Sequence, residues 1–472
     1  MNAKSPIDVS MNAWWPTLVL LAATGAVAPP TLASARTQEA PPAAPPVDPE
    51  VIELRNRVKQ LEQKVGELEA KDEHEWLSER RAAEIRACVQ DTLADADTRA
   101  SLRDTGATAG WDNGFFISSA DGNFLLRIAG QIQFRFVYNH QNDSPTDDNR
   151  YGFEIRRAKL SFRGHIVDPT WEYELELDGS RSTGGVSEGE NIWMQKDFGG
   201  GFKVRAGQFK PMYLREEAVS SKRLLTVERS LVNSQFTTGT AQGVQAAYET
   251  ERWRVFAAFL DGFNSQNTAW DTEDTEFSGT ARIELLGFGK WKTIDDDVSF
   301  RDSEPALLFG GAISYQRGEY GTGSNLPPPD FNNSEVDNFG MSADITWEAG
   351  GFSIAGALMY RNLYSGSSSQ NPINQDQAGA VLRTGLFVTE DIELYAMGEW
   401  GTLDQNNIPD LAIVTVGVNK FFAKNSLKWQ NDIGYGINQV GAPWAQSSAG
   451  WRADSPGHAG QLVVRSQFQL LF

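Results

Sequence analysis

LVVRSQFQLLF, residues 462–472, closes the chain on a strict period of two. Leu462, Val464, Phe468, Leu470 and Phe472 fall on one face, and Val463, Arg465, Gln467, Gln469 and Leu471 on the other. A β-strand sends successive side chains to opposite faces, so this segment has one apolar face and one mostly polar face. A transmembrane β-barrel asks for that pattern, because lipid requires apolar side chains while a water-filled lumen accepts charge. The faces assign Phe468, Leu470 and Phe472 to lipid and Arg465, Gln467 and Gln469 to a watery pore. The edge strand of a soluble sandwich would alternate too, so the rest of the chain has to choose.

Composition narrows the choice. The chain has 472 residues, a mean hydropathy of −0.40 and a formal net charge of −20. No run of about 18 or more apolar residues is present, which excludes a helical membrane protein. A barrel remains, since its lumen, loops and turns are polar. The 44 glycines and 11% aromatics suit many turns and interfacial girdles. Lys4, the apolar run Thr17 to Ala28 and Ala33-Ser34-Ala35 read as a secretory signal over 1–35, with a mature start near Arg36. Residues 36–50 are a Pro/Ala-rich linker. Val51, Leu54, Val58, Leu61, Val65 and Leu68 then repeat at three-four spacing, predicting a short self-associating coiled coil in a helical segment over 51–110. Cys88 is the sole cysteine, so no intramolecular disulfide forms, and packing within a helix is the expectation for it.

From Phe124 onward, strand-like runs alternate with turn clusters. About sixteen candidates can be counted in a barrel domain over 111–472, an even number as a bacterial single-chain barrel requires. Short connections recur at every second position, such as 167–170, 199–201, 349–351 and 423–425. Mostly longer polar ones lie between them, such as 210–240, 319–336 and 438–460. Short turns at one end and long loops at the other are the mark of an up-and-down antiparallel barrel. Residues 287–305 break the rule, as either an unusual long turn or a hidden hairpin.

Two stretches concentrate charge. Arg156, Arg157, Lys159 and Arg163 lie on the second candidate strand, where Arg157, Lys159 and Arg163 share the expected luminal face. They stand beside Glu172, Glu174, Glu176 and Asp178 of the third. One reading is a pair of charge ladders that stiffens the wall; the other is an anion track, since guanidinium suits bidentate oxyanion contact. The second stretch is the loop after residue 209, which carries Lys210, Arg215, Lys222, Arg223 and Arg229 among Glu216, Glu217 and Glu228. A loop of that length in a barrel can fold inward and constrict the lumen. The plainer alternative is a solvated surface helix.

The string GQFKPMYLREEAVSSKRLLTVERSLVN (207–233), the strand FEIRRAKLSFRG (153–164) and the Phe-terminated last strand together resemble the phosphate-selective porin O and P family. The resemblance covers roughly residues 115–472, and the helical appendage also resembles family members. It implies a sixteen-stranded trimeric barrel whose basic side chains conduct anions such as phosphate or polyphosphate. The family's paired arginines would fall on Arg156 and Arg157, and the constriction loop between Lys210 and Arg229.

The acidic balance departs from that picture, because an acidic lumen attracts cations. The alternatives are a general or cation-preferring porin and a barrel that tethers the envelope. An enzyme is disfavoured: His74, His140, His165 and His458 are scattered without metal spacing, and no G-x-S-x-G motif occurs. No cofactor and no nucleic acid are expected. The expected partners are outer-membrane lipid, small anionic solutes and further copies of the chain in a homotrimer, with the appendage in the periplasm.

Overall fold

The structure is a computed structural model that describes residues 56–64, 107–112, 114–142, 148–179, 188–271, 275–319, 335–365, 373–404 and 408–472. The chain divides into two units, Met1–Gln90 and Asp91–Phe472. In the first, residues 56–64 are helical, and Val58 and Leu61 of the heptad seam are exposed. The signal, the linker, Cys88 and the other seam positions lie outside the described residues.

Among the described residues, the second unit holds eighteen antiparallel strands. In chain order they are β1 (Ala107–Trp111), β2 (Phe115–Ser119), β3 (Leu125–His140), β4 (Asn149–His165), β5 (Trp171–Asp178), β6 (Glu188–Asp197), β7 (Phe202–Phe209), β8 (Ala241–Glu249) and β9 (Trp253–Leu260). Then follow β10 (Thr275–Phe288), β11 (Ala306–Glu319), β12 (Glu335–Glu348), β13 (Phe352–Ser365), β14 (Ile373–Phe387), β15 (Ile392–Thr402), β16 (Leu411–Ala423), β17 (Leu427–Gly436) and β18 (Leu462–Leu471). From β3 each strand pairs with the next, and β18 returns to β3, so sixteen strands close into a barrel. The small hairpin β1–β2 continues the seam, pairing with Leu125 to Ile128 of β3 just beyond the end of β18. Sequence patterning places only a boundary at residues 111–114, because two five-residue strands carry too little alternation to register.

Alternation does its work along each wall. On β12, Val336, Asn338, Ser342, Asp344, Thr346 and Glu348 are buried inward, while Phe339, Met341, Ile345 and Trp347 are exposed outward. The outward faces carry apolar side chains around the barrel, as a membrane demands. Tight connections share one end, here called the turn end, with the carboxy terminus; the long ones share the other, the loop end. Residues 289–305 resolve as neither a simple turn nor a hairpin. After one helical turn, Trp291–Ile294, the segment re-enters the barrel from the turn end. Ile294, Val298 and Ser299 are buried, and the Phe300 ring lies 5.6 Å from Phe387 and 5.1 Å from Phe421.

Two long connections from the loop end also fold inward. Tyr213, Leu231, Val232 and Phe236 of the 210–240 loop meet Trp444 and Trp451 of the 437–461 loop and pack against Leu411, Ile413 and Val463 of the wall. This apolar filling corrects one expectation. Arg465, Gln467 and Gln469 do point inward, with Val463, but they face packed loop rather than water. Arg465 donates to Asp432 and to the Ala449 carbonyl, and Gln469 donates to the Lys222 and Asn425 carbonyls. The open side of the lumen lies instead along β4 to β7, where inward side chains such as Glu172, Glu174 and Arg205 stay half-exposed.

At the seam, Gly130 N donates to the Phe472 carbonyl at 2.7 Å and Phe472 N donates back at 3.1 Å. A Cβ on Gly130 would overlap the Phe472 ring. Gly130→Val should therefore destabilise the closed barrel by about 1–3 kcal/mol through overpacking, measured by guanidinium unfolding in detergent micelles.

Candidate functional site

The 210–240 loop is pinned to the wall by one carboxylate. Glu228, buried on the loop, receives Arg156 Nε at 2.7 Å, Arg157 Nη1 at 2.9 Å and Arg135 Nη1 at 3.2 Å. Strict alternation forbids this, since adjacent residues 156 and 157 should point to opposite faces. A β-bulge resolves it: Gln133 pairs with Arg157 while Phe134 pairs with Ile155, so Arg156 is the extra residue and both guanidiniums enter the lumen. The same device recurs on β6. Glu176 pairs with Asn191 and Leu177 with Gly189, which leaves Glu190 as the bulged residue. Its carboxylate reaches Lys159 and, at 3.2 Å, Lys210.

The expected site residues separate into two groups. Arg156 and Arg157 serve Glu228. Lys159 bridges Glu176 at 3.3 Å and Glu190. Lys210 bridges Glu190 and, at 2.8 Å, Glu217. Arg229 binds Glu217 at 3.4 Å and donates to the carbonyls of Glu216 and Val219. Arg215 donates to the Ile294 carbonyl, and Arg223 binds Asp296 at 3.2 Å. Arg163 and Lys222 differ: among the described residues, neither side chain makes a hydrogen bond or ion pair. Each lies within electrostatic reach of the other and beside the acidic row of β5, with Lys222 close to Glu174 and Glu176.

Sequence reading missed three contributors. Arg135 is buried on β3 and pairs with Glu154 as well as Glu228. Arg205 on β7 stacks over Trp193 at 4.0 Å and donates to Gln195. The 289–305 segment brings Asp296 to Arg223 and Asp297 to Arg383, while Asp297 N donates to the Arg223 carbonyl at 3.2 Å. An inward loop and a re-entering turn thus meet inside the barrel. Only the departure from turn length at 287–305 hinted at the last of these.

At the turn end this meeting leaves a cavity of about 970 Å³. Its wall includes Lys159, Lys222, Arg223, Lys290, Lys292 and Lys424, against Glu176, Asp296, Asp302 and Glu304. The local balance is basic in a chain that is acidic overall. Burial by itself would raise the Glu217 carboxyl; Arg229 and Lys210 outweigh burial and hold it down at about 2. Its folded-state value lies below the ordinary carboxylate range, so the tether's contribution is complete above that range and fades as pH falls toward about 2. Loop docking, followed by limited proteolysis, should accordingly be unchanged from pH 7 to about pH 5 and weaken below about pH 4. Glu228→Gln removes the shared partner of three arginines and should cost about 3–5 kcal/mol, read as a lower guanidinium midpoint and as increased open-channel noise in planar bilayers.

No curated protein sequence matches the chain. Among solved structures, an anion-selective porin from Comamonas acidovorans aligns with TM-score 0.52 at 10% identity, covering 74% of this chain and 99% of that one. The outer-membrane protein OmpT of Vibrio cholerae aligns with TM-score 0.50 at 15% identity, covering 74% and 98%. Identities this low speak for the fold alone, a porin-type β-barrel. Residues 126–286, which span β3 to β10 and contain the inward loop with its arginine clamp, match the family of phosphate-selective porins O and P, the family that the sequence resembles.

Proposed function

We propose that the chain is a porin for passive diffusion of small solutes, preferring small anions such as phosphate. The observation that carries this reading is the pair Arg163 and Lys222. Seven of the nine expected cations are tied to carboxylates or carbonyls, and these two remain uncommitted on the half-open side of the lumen. Uncommitted cations in a narrow, low-dielectric passage raise the local concentration of anions. The basic lining of the cavity at the turn end supports the same preference.

In this reading the turn end faces the periplasm, the amino-terminal segment that contains the helix at 56–64 is periplasmic too, and three copies assemble side by side. Strand length favours assembly. β5, β7 and β9 have 8 residues each. Tilted by about 45°, such a strand rises about 19 Å, short of an apolar band of about 25 Å. The outward apolar residues of this part of the wall, including Leu175 on β5, Ile192 and Met194 on β6, Val244 on β8 and Phe259 on β9, suit contact with a neighbouring copy.

A cation-preferring pore is the second reading, favoured by Glu172, Glu174 and Glu176 on the same wall. Reversal potential in a potassium chloride gradient decides between them. An anion-selective value is expected, and Arg163→Glu with Lys222→Glu should move it toward cations; a cation-selective value for the unmodified protein would defeat the anion reading.

A further inference from the structure

The low wall carries both signs of charge in one place. Arg163 and Glu174 are cross-strand partners, as are His165 and Glu172, in the β4–β5 ladder. Side chains of opposed residues stand about 5 Å apart at Cβ, within easy reach of one another. Yet among the described residues neither Glu172 nor Glu174 makes an ion pair within 4.0 Å. Glu174 accepts instead from the Ser161 hydroxyl at 3.3 Å, and Glu172 from Gln195 at 2.7 Å. Arg205 lies within electrostatic reach of both carboxylates and of Arg163, and its guanidinium is held flat on Trp193. Arg163, Arg205 and Lys222 thus face Glu172 and Glu174 with both signs available to a third party.

From this arrangement, and resting on the reading of β4 to β7 as the wall of an open channel, we propose that the patch is a binding site for small zwitterions of amino-acid type. The solute's carboxylate would lie on Arg163 and Lys222, and its ammonium on Glu172 and Glu174. The neutral partners Ser161 and Gln195 fix the two carboxylates without cancelling their charge, which is pre-organisation for an incoming cationic group. Arg205, restrained by its stack, serves the same purpose for an oxyanion and has a planar fork suited to it. A zwitterion also meets no penalty from the chain's acidic balance. It carries no net charge, so the overall field neither draws nor repels it, and only the local placement of opposite charges can hold it. A simple anion at this patch would be attracted by three cations and opposed by two carboxylates. The zwitterion satisfies both rows.

The experiment is current block in planar bilayers holding the full-length protein, with alanine as the probe, glycerol as the uncharged control and inorganic phosphate as the anion control. Alanine is expected to lower the open-channel current saturably, beyond the effect of glycerol at equal osmolality. Replacing both carboxylates, Glu172→Gln with Glu174→Gln, should raise the half-blocking alanine concentration about tenfold or more, the scale of a lost charge-assisted hydrogen bond, while leaving or strengthening the phosphate block. Arg163→Gln with Lys222→Gln should weaken both. Glutamine preserves side-chain size and the contacts with Ser161 and Gln195, and heat-modifiable migration of each variant verifies folding. Alanine acting no differently from glycerol overturns the proposal, as does an alanine block unmoved in the double glutamine variant. In the unmodified protein, alanine block without phosphate block would remove the anion preference and leave the zwitterion site standing, whereas alanine block unchanged in the Arg163→Gln with Lys222→Gln variant overturns the site. A folded protein that passes no current overturns both.

Discussion

The lumen is organised around a single buried carboxylate. Glu228 sits among Arg135, Arg156 and Arg157, so a loop entering from one end of the barrel is fixed to a wall on the far side. Three guanidiniums brought together without it would repel one another in a low-dielectric space, and Glu228 alone would be an uncompensated buried charge. Each side therefore depends on the other. With the clamp closed, the loop carries Lys222 down to the carboxy-terminal strand, places Leu224 and Leu225 carbonyls where Lys428, Asn419 and Gln430 donate to them, and presents Arg223 to Asp296.

Filling of the barrel is uneven as a result. Toward β14 to β18, two inward loops and the re-entering 289–305 segment build an apolar interior of Trp444, Trp451, Phe236, Phe300 and their neighbours. Toward β4 to β7 the interior stays polar and half-open. A barrel of sixteen strands would enclose a wide pore if empty; packing one side confines water to a lane along the other. The charges of β4, β5 and β7 line that lane, so the local field there is set by a few nearby side chains rather than by the formal charge of the whole chain.

Much of this was legible in the sequence, for a definable reason. Period-two alternation reports the two faces of a wall directly, so strand number, strand order and the faces of residues 462–472 could be read without coordinates. The carboxylate row Glu172, Glu174, Glu176 was readable as luminal on the same ground. Alternation says which way a side chain points and nothing about what it meets. Arg465 and Gln469 were assigned to the lumen correctly and to water wrongly, because the loops that cover them come from distant parts of the chain. That Arg156, already a candidate, and Glu190 point inward was hidden for another reason: a bulge changes parity in the middle of a strand, and only the register with the neighbouring strand reveals it.

The bulge at Arg156 also sets the outer surface. Beyond it toward the loop end, β4 runs in the opposite parity from its lower half, and Tyr151, Phe153 and Ile155 look outward, with Phe153 stacked on Phe134 at 5.6 Å. Without that one extra residue the upper half would turn over. The aromatic row would face the water lane, and the carboxylate of Glu154, which now meets Arg135, would face the membrane. A single inserted residue thus works as a phase shift in the strand, matching one stretch of sequence to two environments whose boundary falls partway up the wall.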